Sequence, residues 1–207
     1  MKRNTYALKP IIKTFSDSII IYSPISDDDR QLYLQGVFST ITACAAAYTI
    51  LMHDEIIFRG GIDIGIAFEI GNEEIYGSAL VKAYELESKT ARYPRIVIGD
   101  ELVAFLKTIA AGLFRTNIEN INKDVATKCL KLLMIDGDGH IAIDVLGSEI
   151  FTLFEDSLGS FIHRVVKFIE KQVLTAKENK DTELYFRYIA LEGYIESRLE
   201  IWQKYIK

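Results

Sequence analysis

Two rhythms of hydrophobic positions divide the chain. Runs of β-branched and aromatic residues at two-residue spacing dominate short stretches of the first part, and three- and four-residue spacing separates them. Thr14, Phe15, Ile19, Ile20, Ile21 and Tyr22 read as a hairpin whose tip carries Ser16, Asp17 and Ser18. Ser26-Asp27-Asp28-Asp29 then offers helix-capping chemistry, ahead of Leu32, Leu34, Val37, Phe38, Ile41, Ala45, Tyr48 and Leu51 on a long buried helix. From Ile56 to Phe68, alternation broken by Gly60, Gly61 and Gly65 predicts a pair of strands. Either a ligand approaches the backbone closely there, or a helix lies on it or a bulge forms.

Gly71 to Glu74 reads as a turn, and Ala79, Leu80, Ala83 and Leu86 share one face of a helix over Gly77 to Glu87. Arg95 to Ile98 is a short strand after Pro94, and Asp100 opens a helix through Leu102, Val103, Leu106 and Ile109. Leu132 to Ile135 and Ile141 to Val145 form a second hairpin around Asp136-Gly137-Asp138-Gly139-His140. That turn lacks the spacing of a calcium loop.

From about residue 151 strand patterning disappears. Phe161, Val165, Phe168, Ile169 and Val173 mark one helix, and Ala176 to Thr182 breaks it. A second helix carries Leu184, Tyr188, Leu191, Tyr194, Ile195, Leu199, Trp202 and Tyr205. The aromatic stripe is core, or else a dimer or partner surface rich in Tyr and Trp. The expected organisation is an α+β unit over residues 1–150 and a C-terminal helical extension over 151–207.

A 207-residue chain that is 49% hydrophobic can build a substantial core. Cys44 and Cys129 stand among apolar or small residues, which suits buried free thiols and a reducing, cytoplasmic setting. No signal-peptide core is seen, and no apolar stretch is expected to span a membrane. The net charge of -5, with both signs mixed, gives no footprint for nucleic acid, so a phosphate ligand needs a metal ion or local donors. His53, His140 and His163 show no metal spacing, and neither a nucleophile elbow nor a Walker loop is present. Asp27, Asp28 and Asp29 suit a helix cap more than a cation site. Asp17 remains, an acid at a rigid hairpin tip, where it could hold a metal ion.

Five short motifs in serial order resemble the class III nucleotidyl cyclase domain: Lys13-Thr14-Phe15-Ser16-Asp17, Arg59-Gly60-Gly61-Ile62, Ile75-Tyr76-Gly77-Ser78-Ala79-Leu80, Ala83-Tyr84-Glu85-Leu86-Glu87 and Pro94-Arg95-Ile96. The likeness covers roughly residues 10 to 150 and is nearest a divergent bacterial branch similar to the pyrimidine cyclases of antiphage defence. It implies a ferredoxin-like, palm-type sheet with helices on one face. Two copies would meet head to tail, with a nucleoside triphosphate and magnesium or manganese at their homodimer interface. Asp17 matches the second metal-binding aspartate, with Ser16 and Arg59 beside the substrate. Lys13 matches the lysine that contacts the base, and Glu74 stands where the family has the aspartate that accompanies it. Such a pair suits adenine or cytosine.

The chain departs from the family pattern in three places. Val81 stands where the family has an asparagine and Glu85 where it has an arginine, both of which act on the transition state. The strand bearing the first metal aspartate has no counterpart after Met1. Coding sequence upstream of Met1 is the favoured explanation. The alternatives are recruitment of residues 3 to 9 as a strand, or a reduced relative that binds nucleotide weakly or only dimerises.

Overall fold

The computed structural model describes residues 10–25, 32–71, 74–113, 116–154 and 161–203. The readings placed on Asp27 to Asp29, on Asn72 and Glu73 and on Tyr205 lie outside them. In chain order the elements are β1 (Ile11–Phe15), β2 (Ser18–Tyr22), α1 (Tyr33–His53), β3 (Gly60–Ile62), β4 (Phe68–Ile70), β5 (Glu74–Tyr76) and α2 (Ser78–Glu85). A π-helical turn over Leu86–Thr90 follows, then β6 (Ile96–Ile98), α3 (Asp100–Ala111), α4 (Asn117–Lys131), β7 (Leu133–Ile135) and β8 (Ile141–Ile143). Helices α5 (Ser148–Phe154), α6 (Phe161–Glu178) and α7 (Thr182–Gln203) complete the fold.

The class is α+β, as the pattern predicts, but the strands form three small sheets. The main one has the order β3-β6-β8-β7, with β3 parallel to β6 and the other pairs antiparallel. Hairpins β1–β2 and β4–β5 each stand apart as two-stranded sheets. Ile96 and Ile98 enter the main core with Leu102, Leu106, Ile41 and Tyr48. Between them Val97 points to the opposite face, yet it is as buried as they are, as is its cross-strand partner Ala142. Both faces of the sheet are therefore covered at β6, which corrects the expectation of helices on one face.

The expected strand pair between Ile56 and Phe68 does not form. Only Gly60–Ile62 joins the main sheet, and Phe68–Ile70 pairs instead with Glu74–Tyr76, residues expected to lie in a turn and at its exit. Between them the chain crosses the start of α2. The amide of Ile66 donates to Ser78 Oγ at 3.1 Å, and the amide of Ala79 donates to the Ile66 carbonyl at 3.3 Å. Gly77 makes this crossing possible, since it holds φ of 129° and a Cβ there would sit 2.2 Å from the Ile66 carbonyl oxygen.

Helix α4 has no counterpart in the pattern reading. Its start is nevertheless written in the sequence as a capping box: Glu119 N donates to Thr116 Oγ1, and Thr116 N donates to the Glu119 carboxylate at 2.9 Å. Helix α1, with 21 residues, is long and apolar enough to cross a membrane by length and composition, against the expectation that no stretch would be. It packs here as a core helix, with Leu34, Ile41, Ala45, Tyr48 and Met52 almost wholly enclosed. Tyr48 also donates its hydroxyl to the Pro94 carbonyl at 2.8 Å, tying α1 to the start of β6.

The C-terminal helices share that core. Trp202 is 1% exposed, meets Phe151 edge-on at 5.0 Å, and donates its indole N–H to the Leu146 carbonyl at 2.9 Å. Tyr194 accepts from the Leu146 amide at 2.8 Å and donates to Asp144 at 2.9 Å. Of the two readings of the aromatic stripe, Tyr188, Leu191, Ile195 and Trp202 follow the core one, whereas Leu184 at the start of α7 is exposed.

Candidate functional site

Hairpin β1–β2 turns through two residues, Ser16 and Asp17, and Ser18 already belongs to β2. Ser16 takes φ of 54°, the sign required at the first position of a type II′ turn, whose twist matches the flanking strands. Both tip side chains are exposed, so Asp17 projects into solvent. The strands beneath are held at their far end. Ser23 Oγ and Thr40 Oγ1 lie 2.9 Å apart and join the exit of β2 to α1, while the Tyr22 hydroxyl donates to Glu69 on β4.

Lys13 is directed to the same acid. Its Nζ is 3.4 Å from Glu69 Oε1 and 5.8 Å from the centre of the Tyr22 ring, with its side chain largely covered. Glu74 accepts a hydrogen bond from the Tyr76 hydroxyl at 2.6 Å, which raises that phenol's pKa, and it pairs across the arm with Ile70. Among the described residues, the acid that meets Lys13 is thus Glu69. The sequence reading missed it because it did not recognise β4, whose apolar-polar-apolar run Phe68-Glu69-Ile70 was the available signal.

Arg59, expected beside the substrate, forms an ion pair with Glu87 at 2.8 Å and so joins the approach to β3 to the π-helical turn. Glu85 pairs with Lys89 one helical turn later at 2.6 Å, and Val81 is 56% exposed. Gly61 answers the question left open by the glycine-rich strand. A Cβ there would lie 2.3 Å from the Ala83 carbonyl oxygen and 2.5 Å from Leu86 Cβ, so its bareness lets α2 lie against β3.

Asp63 belongs to this strand's end and has a structural task. Its Oδ1 accepts from the Ile64 and Leu102 amides, both at 2.9 Å, which satisfies a donor in the first turn of α3. No group of three or more His, Cys, Asp or Glu side chains gathers among the described residues. Asp17 therefore offers one carboxylate. That number suits magnesium only when phosphate oxygens and water complete the octahedron, so these residues fit a cation arriving with a triphosphate and do not build a cage for a free one.

A second polar cluster joins the Pro94-Arg95-Ile96 motif to the β7–β8 turn. The Arg95 guanidinium, 5% exposed, donates to Asp136, to Asp138 and to the Thr90 carbonyl at 3.0 Å, and it lies 4.6 Å from the Tyr93 ring. Tyr93 donates its hydroxyl to Asp136 as well. Burial opposes the charge on Arg95, but its bonds to the two aspartates outweigh that and raise its pKa. The same bond holds the Asp138 carboxyl down to about 2, against a smaller opposing effect of desolvation. The glycine-rich turn is thus a clasp on β6, a role that spacing alone does not reveal.

No protein-family model matches the chain, and neither the curated proteins nor the solved structures contain a significant match.

Proposed function

We propose that the protein is a nucleotidyl cyclase-like module that takes a nucleoside triphosphate, with magnesium or manganese, at a contact between two copies of the chain. The ribose 3′ oxygen would bond to the α-phosphorus as the α–β phosphoanhydride breaks, giving a 3′,5′-cyclic nucleotide and pyrophosphate. The bound cation would offset phosphate charge in that step. Asp17 would hold it, and Ser16 would stand beside the phosphates. Lys13, with the acid beside it, would receive the base. Antiphage signalling is the setting that the sequence likeness suggests.

The observation that carries the dimeric arrangement is the apolar surface around the Asp17 hairpin. Ile12 is 62% exposed on β1, Phe68 53% on β4 and Tyr84 66% on α2, and the first two elements are tied together through Glu69. Large apolar side chains left in water on adjoining elements suit a protein contact. A second copy fits a site that holds one acid per chain.

A second reading, a catalytically silent module that binds nucleotide or only dimerises, is favoured by Glu85. It is an acid where the family places an arginine, and it is already engaged by Lys89. One experiment separates the two. Purified protein with manganese and each of the four triphosphates is expected to release a cyclic product, and Asp17→Asn to abolish it without lowering thermal stability. Sedimentation should show a dimer that Tyr84→Glu disperses. Triphosphate binding by calorimetry without turnover supports the silent module. A monomer without metal-dependent triphosphate binding overturns both readings.

A further inference from the structure

The turn between β7 and β8 and the chain leaving the π-helical turn together line a cavity of about 440 Å³. Its walls are Lys89 and Thr90 at the end of the π-helical turn, Arg92 in the link to β6, and Asp138 and His140 from the β7–β8 turn. All five are polar. Lys89, Arg92, Asp138 and His140 are exposed, so a ligand can enter from solvent. The Arg95 clasp fixes the two walls to each other, since Arg95 donates both to Asp138 and to the Thr90 carbonyl.

Acceptors along these walls are already engaged. Asp138 Oδ1 accepts from Arg95 Nη1 at 3.0 Å and from the His140 amide at 3.1 Å, and its Oδ2 accepts from Arg95 Nη2. The Thr90 carbonyl accepts from the Arg92 amide at 2.8 Å as well as from Arg95, which quenches a group that would repel an anion at this helix end. The donors are not engaged in the same way. Among the described residues, the Arg92 guanidinium, the Thr90 hydroxyl and the His140 ring make no hydrogen bond or ion pair. Lys89 holds Glu85 at 2.6 Å, but both are exposed, and such a pair binds its ammonium weakly. Arg95, buried behind Asp138, also keeps an N–H at Nε without an acceptor.

We propose that this cavity is a phosphate-recognition site, which takes the phosphate group of a small monoester or free phosphate. A phosphate accepts hydrogen bonds at every oxygen, so it answers donors that the protein leaves unmet. The Arg92 guanidinium can give it two parallel bonds, and Lys89 meets it as a point charge. Donors arriving from two elements suit oxygens arranged tetrahedrally better than the single plane of a carboxylate. The cavity exceeds one phosphate group in volume, which leaves room for the rest of an ester. The site shares no residue with the Asp17 hairpin, and the inference does not rest on the nucleotide reading.

The probes are inorganic phosphate and ribose 5-phosphate, titrated into the whole protein at constant pH with chloride balancing the ionic strength. Proton NMR reads the ring signals of the three histidines, His53, His140 and His163. A saturable shift is expected at His140 and none at the other two. Arg92→Gln should weaken binding at least tenfold, the scale of one charge-assisted bond, and leave the melting temperature unchanged because that side chain holds no described partner. Asp17→Asn should leave the His140 titration as it is. Tighter binding of ribose 5-phosphate identifies an ester as the occupant, and equal binding identifies the phosphate group alone. Three results overturn the proposal: no saturable shift at His140, equal binding by Arg92→Gln, or loss of the shift in Asp17→Asn. The last would assign the anion to the hairpin.

Discussion

Arg95, just before β6, and Asp138 in the β7–β8 turn meet at 3.0 Å although they stand 43 positions apart in the chain. The contact fastens the β7–β8 hairpin of the main sheet to the start of β6, one of its two inner strands. Removing the arginine would leave Asp136, itself mostly covered, without its cation. Breaking a buried pair in this way costs about 3–5 kcal/mol, so Arg95→Ala is expected to lower the urea midpoint sharply. An unchanged midpoint would mean that the clasp contributes nothing.

The same contact gives a signed pH dependence. Folding depresses the Asp138 pKa to about 2 from its ordinary 3.8, so the folded state holds fewer protons there than the unfolded state. Its stabilising contribution is complete above the ordinary value and fades as pH falls from about 4 towards 2. Melting temperatures across that window should fall less steeply for Asp138→Asn than for the natural protein. Parallel curves would remove Asp138 from the acid response.

Gly61→Ala forces a methyl group to within 2.3 Å of the Ala83 carbonyl, against backbone that cannot turn aside. Overpacking of this kind costs about 1–3 kcal/mol, and α2 should become more open to hydrogen exchange. Gly137→Ala provides the control, since nothing lies within 4 Å of the added atom and the change should stay within about 0.5 kcal/mol. Equal effects from both would contradict close packing at β3.

Trp202→Ala removes a ring enclosed by Phe151, Phe161 and the loop after β8. A loss of about 3–5 kcal/mol is expected, in a single urea transition that includes residues 1–150 as well as the terminal helices. Were the stripe a partner surface instead, the variant would keep its stability and lose only association.

Burial pushes the Cys44 thiol up to about 11 and the Cys129 thiol up to about 12. Only a thiolate reacts readily with a disulfide reagent, so neither should label at pH 8 until the chain opens. Their labelling rates should converge on the unfolding rate, and rapid labelling of folded protein would show that one of them is accessible.

Local pattern made much of this protein legible. Helix α1, the hairpin around Ser16 and Asp17, strand β6 and the helical C-terminal end all follow from spacing, because periodicity reports which side of an element loses water. Even α4 was available, through the side-chain geometry open to Thr116 and Glu119. The resemblance rests on order along the chain and likewise singles out Asp17.

Only the tertiary structure decided which strands pair and what each polar group meets. Glu69, and not Glu74, faces Lys13. Arg59 is taken up by Glu87, the glycine-rich turn closes on Arg95, and residues expected to pair with β3 cross α2 instead. These partners are separated by tens of residues, so no local periodicity encodes them. They are set by whichever arrangement buries the core apolar side chains and still satisfies the backbone.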